Sequence, residues 1–258
     1  RRIARPTNAV SRLSALKRGV AARRIALTPD GGSHAIDFAM EMAHPADRKT
    51  FLYTFEGASA PPALTVSDTS AGGSPTLGTV SAHGGEFQMA TDATSEAQNL
   101  ALYGGDVLSI DPTKNVYFEC RFKVNFAGAA FSADQRLVVG LAAARNASLD
   151  ANTDHVWFRI DGASLAIVLE GDDSTTNTDD QATSPATSIV DDTYITVAID
   201  LSDTSAVKFY IDQVFVGTVA IAAIASTDLL QPYIEMQRAA GTEVEDLRIS
   251  YILISSDA

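Results

Sequence analysis

The acids whose spacing best suits catalysis lie near the end of the chain, in the segment Glu243-Val244-Glu245-Asp246-Leu247-Arg248. Side chains on a strand alternate between faces, so Glu243 and Glu245 would share one face. Two carboxyl groups about 5.5 Å apart can act as nucleophile and general acid on a sugar. The acid-x-acid-x-x-acid pattern of such enzymes needs a third acid at position 248, where the guanidinium of Arg248 cannot protonate a leaving group. We therefore predict no catalytic residues.

The sequence also predicts neither a metal site nor a cofactor. One acidic loop, Gly171–Asp180, offers oxygen ligands of the kind that calcium takes, but it lacks the glycine and the terminal glutamate of an EF-hand loop, so a solvated loop is favoured. The four histidines share no metal-ligand spacing, and each is expected to make a local hydrogen bond. The oxygen ligands would be Asp172, Asp173, Asn177, Asp179 and Asp180, and the histidines are His34, His44, His83 and His155.

A third kind of site is an aromatic and cationic platform on a sheet. Tyrosine, tryptophan and arginine at outward strand positions can stack on a sugar ring, although such residues also cover exposed sheets and oligomer contacts. Five residues are predicted to line one sheet in this way and to face a glycan: Tyr117, Arg121, Trp157, Arg159 and Tyr210.

The stretch that must position these residues is Val116–Phe126, whose six even positions are all apolar. Alternation with a period of two predicts a long strand with one buried face, on which Cys120, the single cysteine, packs as a small apolar group. Short strands separated by turns recur from Thr50 onward, so we predict an all-β, two-sheet antiparallel sandwich over residues 35–258. The other strands are predicted at 51–55, 64–67, 78–82, 86–90, 99–103, 107–110, 136–142, 155–161, 165–170, 195–201, 207–211, 214–219, 233–237 and 245–254, with a hairpin at Gly104-Gly105.

Residues 1–34 are predicted to form a separate basic arm. Residues 1–24 hold eight arginines and lysines and no acid, and four aliphatic residues recur at three- or four-residue spacing, which predicts an extended or short helical arm. A mitochondrial transit peptide has this composition, and a helix on a membrane surface is a further interpretation. A docking arm that orders against an acidic or mixed partner surface fits best, and the remaining alternative is a disordered, solvated tail. Its contact residues would be Arg1, Arg2, Arg5, Val10, Arg12, Leu13, Leu16, Lys17, Arg18, Val20, Arg23 and Arg24.

The charge is divided unevenly between this arm and the body. The remaining 11 arginines and lysines face all 32 acids, so residues 25–258 carry a net charge of −21. An acidic body disfavours nucleic-acid binding, and no apolar run approaches the roughly 18 residues that a membrane span requires. We therefore expect neither nucleic acid nor a membrane as a partner.

Two segments resemble strands of a known fold family. Y-I-T-V-A-I-D-L-S-D-T-S-A-V-K-F-Y-I-D-Q-V-F-V-G at 194–217 and E-D-L-R-I-S at 245–250 resemble concanavalin A-like and laminin G-like jelly rolls, which have Asp-Gly where this chain has Asp212-Gln213. The resemblance implies a jelly-roll sandwich. It does not select a function, because lectins, glycosidases, lyases and structural proteins all use this fold.

The layout of a basic arm before a cysteine-poor sandwich resembles structural proteins of tailed bacteriophages, especially capsid decoration (cement) proteins. This resemblance implies a non-enzymatic virion protein on the outer capsid surface, assembled in the host cytoplasm and anchored to the major capsid protein by its arm. A homo-oligomer is expected, a trimer before a dimer. The alternative is a carbohydrate-binding, lectin-like module on a virion or fibre, and a glycosidase or lyase of the same fold ranks third.

Overall fold

The structure is a computed structural model that describes residues 48–56, 60–80, 85–107, 109–126, 131–162 and 164–257. The chain divides into two compact units, Thr50–Ser256 and Arg1–Lys49 with Asp257–Ala258. The architecture that follows is that of the first unit. The contact residues predicted for the basic arm, and the boundary predicted between residues 34 and 35, lie outside the described residues.

Fifteen strands and one short 3₁₀ turn, Leu149–Ala151, form the described regular structure. No helix in these described ranges has the length and apolar composition to cross a bilayer. The strands are β1 (Arg48–Thr54), β2 (Thr65–Asp68), β3 (Thr76–Val80), β4 (Glu86–Ala90), β5 (Gln98–Tyr103), β6 (Tyr117–Asn125), β7 (Gln135–Ala142), β8 (Asp154–Asp161), β9 (Ile167–Asp173), β10 (Asn177–Ala182), β11 (Ile195–Asp200), β12 (Val207–Ile211), β13 (Val214–Val219), β14 (Gln231–Arg238) and β15 (Asp246–Asp257).

These strands form two sheets. The eight-stranded sheet has the order β13-β12-β11-β6-β15-β4-β3, with β1 also paired to β15, and the seven-stranded sheet has the order β10-β9-β8-β7-β14-β5-β2. The pairs flanking β6 and β14 are all antiparallel and join strands that are far apart in sequence. The predicted all-β, two-sheet antiparallel sandwich is confirmed.

Strand β6 is the predicted central strand, and it lies inside the eight-stranded sheet between β11 and β15. Its apolar face is buried as the alternation predicts: all six even positions from Val116 to Phe126 are at most 8% exposed. The facing side chains of the seven-stranded sheet complete one continuous core. An edge-to-face contact between Phe158 on β8 and Phe209 on β12, with ring centroids 5.0 Å apart, joins the two sheets directly.

The hairpin predicted at Gly104-Gly105 is wrong. Strand β5 pairs with β14 and β2 instead, and Ile110 makes only an isolated bridge to Leu230. Gly105 and Asp106 both have positive φ, and the Val107 amide donates to the Gly104 carbonyl at 3.2 Å, so a tight turn takes the chain out of the sheet.

The prediction of a solvated loop for the acidic segment Gly171–Asp180 is also wrong in part, because residues 177–182 form the edge strand β10. Asp173 ends β9 and shapes the turn between the two strands. Its carboxylate accepts hydrogen bonds from the amides of Thr175 (3.1 Å), Thr176 (2.6 Å) and Ala223 (2.8 Å). Burial opposes ionisation of Asp173, but these backbone donors lower its pKa below the ordinary value. The Asp173 carboxylate therefore stabilises the turn between β9 and β10.

We expect Phe122→Ala to lower the free energy of unfolding by about 3–5 kcal/mol, because the ring is 1% exposed in the middle of β6. Equilibrium urea unfolding followed by circular dichroism measures the change. The matched control is Asn125→Ala at the exposed end of the same strand, which should change stability by less than about 0.5 kcal/mol. Rapid labelling of the Cys120 thiol in the native protein would contradict the buried face.

Candidate functional site

The outer face of the seven-stranded sheet, turned away from the core, carries an unusual set of buried aromatic and charged side chains. Trp157 on β8, Tyr233 and Glu235 on β14 are each 0% exposed. They point away from the other sheet because their strand neighbours Phe158 and Ile234 belong to the inter-sheet core. Something other than the second sheet must therefore cover them.

The cover is the connection between β7 and β8, residues 143–153, which we call the strap. Leu149 of the strap is 0% exposed. Asn99 of β5 and Gln237 of β14 both donate to the carbonyl of Ala147, at 3.4 and 3.2 Å. The strap thus closes a second, small apolar cluster separate from the main core, formed by Val138, Ala142, Leu149, Trp157 and Tyr233 with Tyr103 packed against it.

Glu235 is the first of two carboxylates that organise this face. It accepts a short hydrogen bond from the Tyr233 hydroxyl, one from Gln237 Nε2 at 2.8 Å, and an ion pair from Arg145 Nη2 of the strap at 3.1 Å. Burial and the adjacent Glu235 carboxylate raise the pKa of Tyr233, which therefore stays a hydroxyl donor. A buried carboxylate with three donors is a fixed negative group, and it holds Arg145 in place.

Glu170 on β9 is the second carboxylate that organises this face. It is 2% exposed and accepts a hydrogen bond from Trp157 Nε1 at 2.7 Å. Arg159 Nη1 lies 3.3 Å from Glu170, and the same guanidinium contacts Asp150 at 2.8 Å and Asp161 at 3.0 Å. Burial raises the pKa of Glu170, against the opposing effect of Trp157 and Arg159. Asp150 belongs to the strap, so this second network also ties the strap to the sheet.

His155 lies beside the tryptophan. Its ring stacks on that of Trp157 with centroids 3.8 Å apart, and Nδ1 is 3.0 Å from the carbonyl of Asn152. The local hydrogen bond predicted for this histidine is confirmed, while His34, His44 and His83 lie outside the described residues. Burial lowers the pKa of His155 to about 4, so the ring is neutral at physiological pH.

Next to the strap, the outer face of β2, β5 and β14 is polar and partly accessible. We call this surface the shelf. Tyr103 stands at one end, with the Arg145 guanidinium 6.0 Å from its ring centroid. Opposed residues of neighbouring strands share a face, so the registers Thr65–Tyr103, Ser67–Ala101 and Asn99–Gln237 place hydroxyl and amide groups around the small Ala101. The partly exposed or exposed members of the shelf are Thr65, Ser67, Asn99, Tyr103, Arg145 and Gln237.

The five residues predicted to face a glycan do not share a surface. Tyr117, Arg121 and Tyr210 lie on the outer face of the eight-stranded sheet, and Trp157 and Arg159 lie on the outer face of the seven-stranded sheet. The prediction of one common platform is therefore wrong. Trp157 does point away from the main core, but the strap buries it completely, so its ring offers no stacking surface.

The acid pair near the end of the chain is also separated. Glu245 is 0% exposed and accepts a hydrogen bond from the Ser132 amide at 3.1 Å, whereas Glu243 is exposed and precedes β15. Arg248 is paired with Asp246 at 2.7 Å. In the described ranges no group of three or more acidic, histidine or cysteine side chains is placed to hold a metal ion.

The sequence interpretation missed Glu170, Glu235 and the strap residue Arg145. Two patterns pointed to this face. Tyr233, Glu235 and Gln237 alternate with apolar residues, which marks a second polar sheet face. Gly140 interrupts the apolar strand β7 because a Cβ there would lie 2.7 Å from the Cβ of Trp157, and an isolated glycine within a strand indicates such a close approach.

Comparisons with solved structures place the sandwich in a known fold. No protein-family model and no curated protein sequence matches the chain. A protein of unknown function from Shewanella oneidensis MR-1 superposes with a TM-score of 0.57 at 12% identity, covering 90% of this chain and 97% of its own. The carbohydrate recognition domain of Emp47p gives 0.57 at 11%, covering 81% and 95%. An endo-acting O-glycanase structure from human gut microbiota gives 0.52 at 7%, covering 80% and 98%. At these identities the similarity establishes the fold, and the chain is a concanavalin A-like jelly-roll sandwich.

The buried neutral His155 should make stability depend on pH. Its folded pKa of about 4 lies below the value of 6.5 for the free side chain, so between these values the unfolded chain binds a proton that the folded chain does not. The stabilisation is complete above about pH 6.5 and is lost as the pH falls towards 4, by up to about 3 kcal/mol.

Urea unfolding of the native sequence and of His155→Gln, from about pH 7 to about pH 4, isolates this contribution, because the many carboxylates titrate in both proteins. The native protein should lose more stability on acidification than the variant. Parallel pH profiles would show that His155 is accessible to protons in the folded protein.

Proposed function

We propose that this chain is a non-catalytic carbohydrate-binding module that binds a saccharide on the shelf. The observation that carries the proposal is the set of partly exposed Asn99, Tyr103 and Gln237 beside the ion pair of Arg145 with the buried Glu235. Saccharide sites combine an aromatic ring with a few oriented hydrogen-bonding groups, and here the orienting contacts are already made without a ligand.

Each group on the shelf has a role in this proposal. The Tyr103 ring packs on the apolar C–H face of a sugar. The amide oxygens of Asn99 and Gln237 accept hydrogen bonds from sugar hydroxyls, and Asn99 has one N–H left to donate, since both Gln237 N–H groups are bonded to Ala147 and Glu235. Arg145 has 11% of its side chain exposed and is held by Glu235, so the exposed part of its side chain has a fixed position. Recognition then needs little rearrangement of the protein, which lowers the entropic cost of binding.

The proposed absence of catalysis rests on the spacing of the carboxylates. Glu235 and Glu170 lie on β14 and β9, which are separated by β7 and β8, so their backbones are about 14 Å apart at the usual spacing of neighbouring strands. Glycoside hydrolysis needs two carboxyl groups about 5–9.5 Å apart across one sugar. Asp150, Asp161 and Glu170 all contact the same guanidinium, that of Arg159, so these three acids are engaged in ion pairs.

The fold is compatible with this function. The matched structure of Emp47p is a carbohydrate recognition domain, and the matched gut microbial protein is an O-glycanase. Proteins with similar sandwiches therefore have saccharide ligands. Because similarity at 11% and 7% identity extends to the fold alone, the proposal depends on the side chains of the shelf.

We expect Tyr103→Ala to weaken glycan binding by about tenfold or more, since stacking on a partly exposed ring supplies a large share of such affinities. The measurement is a glycan array with the full chain, followed by calorimetry on the sugars that bind. The matched control is Phe215→Ala, which truncates a 49% exposed ring on the opposite sheet. Equal loss in both variants, or no loss in Tyr103→Ala, would remove the shelf as the site.

A second candidate function is favoured by the charge asymmetry of the sequence. We infer that residues 1–24, with eight cations and no acid, tether the acidic body to the major capsid protein of a virion. An extended arm of this length reaches up to about 80 Å, which is enough to cross between neighbouring subunits. A protein that binds only the assembled shell stabilises it by linkage. In this proposal the module is a homo-oligomer on the outer capsid surface, and glycan binding by the shelf is compatible with that location.

Deletion of residues 1–24 should leave the sandwich folded, because its described strands begin at Arg48. Co-sedimentation of the full chain and of the deletion variant with undecorated capsids tests the tether. The full chain should pellet with the capsids and the variant should stay in solution. Triple charge reversal at Arg18, Arg23 and Arg24 should weaken attachment. Added salt should loosen the native chain only in part, because it screens the exposed charges and leaves the apolar contacts of the arm. Equal pelleting of both proteins would refute the tether.

A further inference from the structure

Arg121 is an exception among the arginines of this protein. Six arginines lie in the described ranges from residue 109 onward, and five of them contact a carboxylate: Arg136, Arg145, Arg159, Arg238 and Arg248. Arg121 has no carboxylate within 4.0 Å among the described residues, although the body carries a net charge of −21. In so acidic a protein, a cation without an acid beside it calls for a physical explanation.

The contact that Arg121 does make is with an aromatic ring. Its guanidinium carbon lies 4.0 Å from the centroid of Tyr194, and both side chains are partly exposed. An arginine stacked on a ring keeps its in-plane N–H groups free, and these match the two oxygens of a carboxylate. Lys123 lies 5.1 Å from the same ring, but its Nζ is paired with Asp192 at 2.6 Å. The uncompensated positive charge at this place is therefore that of Arg121.

The nearest acid on the same strand face is Glu119, and it is already engaged. Its two carboxylate oxygens accept hydrogen bonds from the hydroxyls of Tyr117, at 2.6 Å, and Tyr251, at 2.7 Å. Both carboxylate oxygens of Glu119 are therefore engaged by tyrosine hydroxyls. Arg121 is opposed across the sheet by Tyr251 on β15 and by Thr196 on β11, so its neighbours on both flanking strands carry hydroxyl groups.

We propose that Arg121, with Tyr194 beneath it and Tyr251 and Thr196 beside it, binds the carboxylate of an acidic saccharide such as a uronate or a sialate. This site lies on the outer face of the eight-stranded sheet and is independent of the shelf on the opposite sheet. Bidentate hydrogen bonds to Arg121 supply the charge recognition, and the tyrosine rings and hydroxyls contact the sugar. A saccharide that carries a single carboxylate suits this site better than a polyanion or an acidic peptide, because the acidic body repels each further negative charge.

The test uses the full chain on an array of uronate- and sialate-terminated oligosaccharides, each printed beside its neutral counterpart, together with an acidic peptide. At least one acidic glycan should bind more tightly than its neutral counterpart. Arg121→Ala should weaken that binding by roughly tenfold or more, and Arg121→Lys, which keeps the charge but loses the bidentate geometry, should recover only part of it. Added salt should weaken the interaction in the native protein.

Two controls keep the result specific. Lys208→Ala removes an exposed cation from the same sheet and should bind as the native protein does. Neutral glycans that bind on the shelf should bind Arg121→Ala as they bind the native protein, so a failure of the shelf and a failure of this site give different patterns. If Arg121→Ala does not fold, as judged by circular dichroism, Arg121→Gln retains most of the apolar stem and replaces it.

Four outcomes would overturn the proposal. The first three are binding by Arg121→Ala at the native level, equal binding of acidic glycans and their neutral counterparts, and no binding of any acidic glycan by the native chain. Preference for the acidic peptide over every glycan would also overturn it, because the site would then recognise a protein.

Discussion

One face of β6 has to be covered, and most of the architecture follows from that constraint. Six apolar side chains on a single strand face cannot remain in water, and burying an aromatic residue such as Phe118 or Phe122 stabilises the fold by roughly 2–3 kcal/mol each. A second sheet packed against this face removes the apolar side chains from water. On every other strand, the side chains that face the opposite sheet are then the inward ones. The two outer faces, which lie on opposite sides of the sandwich, are what remains for polar chemistry.

The seven-stranded sheet shows what happens when charged groups are placed on such a face and then covered. Each carboxylate under the strap is matched by donors: Glu235 by Arg145, Tyr233 and Gln237, and Glu170 by Trp157 and Arg159. Buried ion pairs contribute little net stability compared with apolar residues of the same size, because desolvation opposes the attraction. Their effect is to fix geometry. The strap is held by charges at both ends and by Leu149 between them, so the edge of the shelf has a defined position.

Local patterns in the sequence were sufficient for the fold class and insufficient for the site. Alternation identified β6 and most other strands because burial imposes a period of two on any strand with one wet face. It missed β10, whose two sides are both polar, and it produced a false hairpin at Gly104-Gly105, because two glycines mark a turn without stating where the chain goes afterwards. The pairing of β14 between β5 and β7 joins residues that are 89 to 140 positions apart. No local period encodes such a pairing, so the meeting of Arg145 and Glu235 could not be foreseen.

The position of Trp157 has a spectroscopic consequence. It is the one tryptophan among 258 residues, and it lies in the small cluster beneath the strap and outside the main core. Intrinsic tryptophan emission from this protein therefore arises from a single place, with His155 stacked on the indole and Glu170 bound to its N–H group. A change in emission reports the polarity beneath the strap, whereas circular dichroism reports the sheets. Comparing the two along a denaturation curve would separate local detachment of residues 143–153 from global unfolding, without any added label.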